Sequence, residues 1–213
     1  MDIRRAPVED FSMPPGLKRL PLLLFVSACA AACIRLWLSA DPAYELQQWV
    51  HRSEYRAYDR LIVGVAEKHR IPPELLKAII WQESRFRPGK VGTSGERGLM
   101  QVGEGAATDW ARAEKISGFL PTDLLDPRTN VLAGGWYFAR ALDHWKNRDD
   151  PLPFALAEYN AGKARVDRWI AATGLGEQAT AADLLDAIDF PGTRRYVESI
   201  LERYQFYRIR GWM

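Results

Sequence analysis

The sequence predicts a mainly α single domain, residues 41–213, behind a leader of residues 1–40. Three observations carry that expectation. Apolar residues recur at spacings of three and four, the period of one helix face, in segment after segment. Prolines and aspartates stand at the starts of those segments, where a helix tolerates a missing N–H and accepts a capping carboxylate. Strand signals are nearly absent, and a short hairpin within residues 90–101 is the most they allow. With 213 residues, 47% hydrophobic and 26% charged, the composition is that of an ordinary globular chain with room for one domain.

The leader comes first. Lys18 and Arg19 precede an apolar run, residues 20–26, and then Ser27-Ala28-Cys29. A basic start, a short apolar stretch and small residues form a secretory signal. The polar stretch before Lys18 is long for one, and a start at Met13 gives a more usual leader. Val26-Ser27-Ala28-Cys29 resembles the lipobox of bacterial lipoproteins, which implies that Cys29 is acylated and becomes the first mature residue. An uncleaved anchor is the alternative. Apolar residues 20–34 fall short of the roughly 20 that span a bilayer, and Arg35 interrupts them, although Leu36-Trp37-Leu38 continues the run. On either reading the domain is exported and tied to a membrane.

Both cysteines, Cys29 and Cys33, lie in this leader, so the domain is expected to have no disulfide and no thiol nucleophile. His51, His69 and His144 are scattered without metal-ligand spacing, so no metal and no cofactor is expected. A net charge of +2 without a basic run gives no footing for nucleic acid. Trp and Tyr number 8 each; their faces suit sugar rings, although most aromatics in a small domain are core.

Asp41-Pro42 starts a helix expected to run to about His69, with Leu61, Ile62 and Val65 on one face, until Ile71-Pro72-Pro73 breaks it. The next helix pairs Leu75 with Ile79 and Leu76 with Ile80 on an apolar face that continues to Glu83. Pro88 and Gly89 are expected to close it, and a loop punctuated by Gly92, Gly95 and Gly98 follows. Residues 106–113 read as a short helix and 119–126 as loop. Asp126-Pro127 starts a long helix through Trp145, whose adjacent Gly134 and Gly135 suggest close packing against another helix. Asp149-Asp150-Pro151 restarts the chain. Residues 153–159 are apolar and expected to be buried, 163–172 and 181–188 are further helices, and 191–207 closes the domain.

Glu83 is the anomaly, an acid on an apolar stripe. Burial without a cationic partner raises a carboxyl pKa, and a carboxylic acid still protonated near neutral pH suits general acid catalysis at a glycosidic bond. Equally, an acid at a helix end can turn to solvent or pair with Arg85 or Arg87.

Glu83-Ser84, then Gly98-Leu99-Met100-Gln101, then residues 157–162 (AEYNAG) resemble, in order and spacing, the three signature motifs of soluble-lytic-transglycosylase (SLT) domains, in the goose-type-lysozyme-like group. The resemblance runs from about Leu61 to Tyr207; residues 124–142 look like the family's long helix and 190–208 like its closing segment. It implies a lysozyme-like fold, peptidoglycan glycan strands as substrate, and cleavage between N-acetylmuramic acid and N-acetylglucosamine. In that family one Glu protonates the glycosidic oxygen. As a carboxylate it then takes the proton of the muramoyl 6-hydroxyl, which attacks its own anomeric carbon to leave a 1,6-anhydro end. The nucleophile belongs to the substrate, so intramolecular proximity replaces a second enzymic acid.

Carried over, the resemblance makes Glu83 the acid/base and Ser84 its sugar-contacting neighbour. Gly98, Leu99, Met100 and Gln101 become one groove wall, Tyr159 and Asn160 the other, and Tyr196 a partner of Glu83 or substrate. Leu99, Met100 and Tyr159 also fit as core, and Asn160-Ala161-Gly162 as a turn. Two departures stand out. Val102-Gly103-Glu104-Gly105 replaces a proline that usually follows the Met-Gln pair, and Glu158 stands where a small residue is usual, expected to point outward. The reading is therefore an exported, anchored, monomeric lytic transglycosylase. Its rivals are a muramidase hydrolysing the same bond, for which Glu158 in the groove would be the second acid, and a catalytically silent glycan-binding protein.

Overall fold

Four helix starts, those at Pro73, Pro127, Leu152 and Pro191, fall where a proline stands in the first turn or just before it. The computed structural model describes residues 26–31, 34 and 52–212. Its helices from residue 52 onward are α1 (Arg52–Arg56), α2 (Asp59–His69), α3 (Pro73–Ser84), α4 (Glu104–Ala113), α5 (Pro127–Trp145), α6 (Leu152–Ala161), α7 (Lys163–Thr173), α8 (Ala181–Ala187) and α9 (Pro191–Arg210). Among the described residues no strand forms. Two isolated antiparallel bridges, Val91 with Arg97 and Arg97 with Val102, are what the expected hairpin amounts to. The mainly α class is the one found.

The chain divides into two units, Met1–Arg52 and Ser53–Met213. In the first, residues 26–31 and 34 are helical and exposed, Cys29 among them. The expected boundary at residues 40 and 41 and the helix start at Asp41 lie outside the described residues. No helix among the described residues is long and apolar enough to cross a membrane.

Helix α3 is the axis of the second unit, packed against α9 and α2. Leu75, Leu76, Ala78, Ile79 and Ile80 are fully buried, and so are Lys77 and Ser84. Each large aliphatic side chain contributes about 1.5–3 kcal/mol. The single apolar stripe read from the sequence is thus a correction: α3 is enclosed nearly all round, as an interior helix is. Its end differs too. It stops at Ser84, before Pro88, because Arg85 and Phe86 take left-handed conformations (φ 53° and 59°) that cost about 1–2 kcal/mol each. Packing offsets that cost. The Arg85 guanidinium lies 3.3 Å from the Trp81 ring centroid, and Phe86 is buried against Tyr55 with centroids 5.0 Å apart. The two left-handed residues swing the following loop back over the end of α3.

Helix α5 starts as expected, with the Asp126 carboxylate accepting the Thr129 N–H at 2.8 Å and Pro127 in the first turn. Its adjacent glycines admit two neighbours. A Cβ on Gly135 would lie 2.5 Å from Val65 Cγ1 of α2, and one on Gly134 would lie 2.6 Å from Met100 Sδ. Gly135 therefore meets a helix, as expected, while Gly134 admits the loop that carries the second motif. The helix expected to reach His69 without a break turns at Ala57 and Tyr58, and the segment expected as loop holds a 3-10 turn, Pro121–Leu125.

Candidate active site

Glu83 sits in the last turn of α3 at the floor of a cleft of about 370 Å³, near the lower end of the roughly 300–1,000 Å³ typical of ligand pockets. Glu96, Gln101, Val102 and Gly103 of the loop line one side, and Ala106 of α4 continues it. Tyr137 of α5 and Tyr159 and Asn160 of α6 line the other.

Burial pushes the Glu83 carboxyl up to about 7. Desolvation is the main cause, and the charge of Glu96 adds to it. The Tyr196 hydrogen bond and Lys90 oppose them. Tyr196 Oη donates to Glu83 Oε1 at 2.6 Å from helix α9. Burial and the nearby carboxyl raise the Tyr196 pKa well above its usual value, so it remains a phenol and a donor. Lys90 Nζ donates to the Glu83 backbone carbonyl, which ties the loop to the end of α3.

The second motif serves mainly as a frame. Gly98 has φ 79°, and a Cβ there would fall on Asn130 Nδ2 and the Leu124 carbonyl, so Gly98 is glycine for packing against α5 and not for approach of a sugar. Leu99 and Met100 are fully buried. Gln101, at φ 47°, donates from Nε2 to the carbonyls of Lys90 (3.1 Å) and Gly98 (3.0 Å). It braces the loop while lining the cleft. Ser84 is a correction: it is buried, and its hydroxyl donates back to the Ile80 carbonyl at 3.2 Å, away from any sugar.

The third motif closes the other side. Tyr159 Oη donates to the Met100 carbonyl at 2.9 Å, a bridge between two walls 59 residues apart in sequence. Its ring packs on Tyr137 and Phe138 at 5.6 and 5.9 Å. Asn160 is exposed and lines the cleft; its Oδ1 accepts from Thr193 Oγ1 of α9 at 2.7 Å, which leaves its amide N–H group as the donor it can offer.

Glu158 neither faces the cleft nor points outward. It is buried, with Oε1 2.7 Å from His144 Nδ1 and Oε2 accepting from Trp145 Nε1 at 2.7 Å. The carboxylate suspected as a second acid is therefore a tie between α6 and α5.

Sequence reasoning missed Glu96, Tyr137 and Asn130. Asn130 is the keystone of the loop. Fully buried, it accepts the Met100 N–H at 2.7 Å and donates to the carbonyls of Arg97 (2.7 Å) and Leu124 (2.9 Å). Its neighbour Asp126 carried the cap signal, and nothing local marked Asn130. Tyr137 follows Gly134 by three residues, so it shares the helix face on which Met100 sits; that spacing was the available signal.

Comparisons with known proteins place the chain in a family and a fold. A family model for the transglycosylase SLT domain matches residues 60–181. Soluble lytic murein transglycosylase of Escherichia coli (strain K12) is 33% identical over 177 residues, 80% of this chain and 26% of that protein. This chain thus spans about a quarter of that relative. Among solved structures, the 70 kDa soluble lytic transglycosylase of Escherichia coli aligns with a TM-score of 0.61 at 32% identity, over 71% of this chain and 24% of the other. An inactive glutamate-to-glutamine mutant of lytic transglycosylase Slt from Pseudomonas aeruginosa aligns with a TM-score of 0.64 at 25% identity, over 73% and 24%. These alignments bear out the lysozyme-like fold. With more than half of its length matched by the family model and a lysozyme-like cleft built around Glu83, the chain belongs to the transglycosylase SLT domain family.

Proposed function

We propose that this protein is a peptidoglycan lytic transglycosylase. The observation that carries the reading is Glu83, a carboxyl at the floor of a sugar-sized cleft with its pKa raised to about 7 and a tyrosine donor on Oε1. Such a group holds a proton at neutral pH and can give it to a glycosidic oxygen as the bond to the muramoyl anomeric carbon breaks. The resulting carboxylate takes the proton of the 6-hydroxyl, O6 bonds to the anomeric carbon, and Glu83 is again protonated. No water enters. Tyr196 fixes the carboxyl's orientation through both steps, and Tyr137, Tyr159 and the Asn160 amide offer ring faces and a donor to the glycan.

Digestion of purified glycan strands followed by mass spectrometry tests this. Products should end in anhydro-muramoyl groups, lighter by one water than a reducing end. Turnover should fall as pH rises past about 7, because the general acid must carry its proton. Reducing-end products would instead favour the muramidase, for which a second carboxylate in the cleft, Glu96, is the supporting observation. A silent binding protein has no use for a proton held on Glu83, and any turnover excludes it.

The leader supports an exported, membrane-tied enzyme, with Cys29 exposed in a helix directly after Val26-Ser27-Ala28. Two or more acyl chains anchor stably where one is marginal. Cys29→Ser should abolish incorporation of labelled fatty acid and release the protein from membranes. Unchanged membrane retention without any labelling of the wild type would mean an uncleaved anchor.

A further inference from the structure

Glu96 is the one acid besides Glu83 that lines the cleft among the described residues. It stands two residues before Gly98 in the loop that α3's left-handed end folds back. The loop fixes it from several directions. Its carbonyl accepts the Gly92 N–H at 2.7 Å, and its Oε2 accepts the Ser94 N–H at 3.2 Å. The carboxylate lies directly over Gly92, where a Cβ would stand 2.5 Å from Oε2. The next residue, Arg97, is bridged to Val91 and Val102 and sends its guanidinium back to the Gly95 carbonyl at 3.1 Å. With Arg97 turned to its own loop, Glu96 is the residue of this segment that lines the cleft. Glu96 lines the cleft while its Oε2 is held by the Ser94 N–H, and among the described residues no ion pair neutralises its charge.

Cleavage of a glycosidic bond passes through an oxocarbenium-like state whose positive charge spreads over the ring oxygen and anomeric carbon. A fixed anion beside that charge lowers the barrier, because a preorganised charge in a partly desolvated cleft needs no reorientation as the reaction proceeds. We propose that Glu96 is a second functional carboxylate of the cleft, an electrostatic partner that stabilises the developing positive charge on the sugar while Glu83 alone moves the protons. The proposal rests on the transglycosylase reading of the site. A second consequence concerns Glu83 itself. The groups around its carboxyl are Tyr196 of α9, Tyr159 of α6, and Lys90 and Glu96 of the loop. Of the two charged loop residues, Lys90 favours loss of the Glu83 proton and Glu96 opposes it.

Glu96→Gln isolates the charge, because the amide oxygen can still accept the Ser94 N–H and the loop keeps its shape. The purified full chain and this variant are compared on the same glycan strands between pH 4 and 9. Four quantities are read: kcat, KM, product mass and thermal midpoint. With an unchanged midpoint, kcat should fall on the order of tenfold or more, KM should stay close to wild type, and the high-pH limb should move to lower pH. Glu96→Asp, which keeps the charge, should recover part of the rate. A Glu96→Gln variant with wild-type kcat and an unmoved pH limb overturns the proposal and leaves Glu96 a turn residue. If the wild type still yields anhydro ends and Glu83→Gln is dead in that same assay, the transglycosylase reading still stands. Reducing-end products from the wild type that vanish in Glu96→Gln would assign Glu96 to water activation, overturning both the charge role and the non-hydrolytic reading.

Discussion

Glu83→Gln should lower turnover by roughly 10⁴-fold or more, the upper end of what general acid–base catalysis contributes. One group performs both proton transfers, first as acid and then as base, and glutamine can do neither. Glutamine keeps the size of the side chain and its Oε1 still accepts the Tyr196 hydroxyl, so the cleft should retain its shape and the variant should still pull down glycan. The same substitution should also stabilise the protein at alkaline pH. Glu83 has a folded pKa of about 7 against an ordinary value of 4.5. Its folded form therefore binds the proton more tightly than the unfolded chain does, and its contribution is fully present below about 4.5 and lost as pH rises through 7. Above pH 7 the wild type holds a desolvated charge that Glu83→Gln lacks. The variant should melt higher at pH 8, by about 2 kcal/mol of stability after allowance for the side of Glu83 open to the cleft. The gap should close near pH 4. Thermal unfolding at the two pH values reads the difference, and near-normal turnover by the variant would remove Glu83 from the mechanism.

Lys77→Met should cost the fold about 3 kcal/mol, the low end of the loss when one half of a buried ion pair is removed, because Asp59 is partly open to solvent. Lys77 lies on the same helix as Glu83 and has no solvent exposure. Its ammonium donates to Asp59 Oδ1 at 2.6 Å and to the Trp212 carbonyl at 3.2 Å, and lies 4.6 Å from the Trp212 ring centroid. It thereby fastens α2, α3 and the chain beyond α9 to one another. Burial lowers the pKa of Lys77 and raises that of Asp59, and the pairing opposes both shifts. Removing the ammonium leaves Asp59 desolvated without its cation. Denaturant unfolding of Lys77→Met should show the loss. Asp59→Asn combined with Lys77→Met should recover most of it, since replacing both members of such a pair is often nearly neutral. A single variant that costs under about 1 kcal/mol would mean that Asp59 finds water and that the pair does not hold these elements together.

Much of the helical frame was legible because its signals are short-range. Pro73, the Asp126 carboxylate and the spacing of Leu75, Leu76, Ile79 and Ile80 act within a turn or two of chain, so local reading placed α3 and α5 well. The motif residues Glu83, Gln101, Tyr159 and Asn160 were legible as a set, and the structure lines one cleft with them. Their individual tasks were not. Gly98 is fixed by distant Asn130 and Leu124, Gln101 braces the loop through the carbonyls of Lys90 and Gly98, and burial turns the Ser84 hydroxyl back onto Ile80 of its own helix.

The sequence by itself determined a mainly α chain with an acid at the end of an apolar helix. Tertiary structure alone decided which groups meet that acid. Arg85 and Phe86 carry no turn signal, yet burial against Trp81 and Tyr55 holds them left-handed and so aims the loop. The sequence raised Glu158 alone as a second carboxylate, expected to point outward, but His144 and Trp145 claim it for the interior, while Glu96, on an irregular loop without helical spacing, lines the cleft. Tyr196 reaches Glu83 across 113 residues of sequence. Such pairings depend on how distant segments pack, and a proton's affinity for Glu83 is set by the solvent those segments exclude, which no local pattern of residues records.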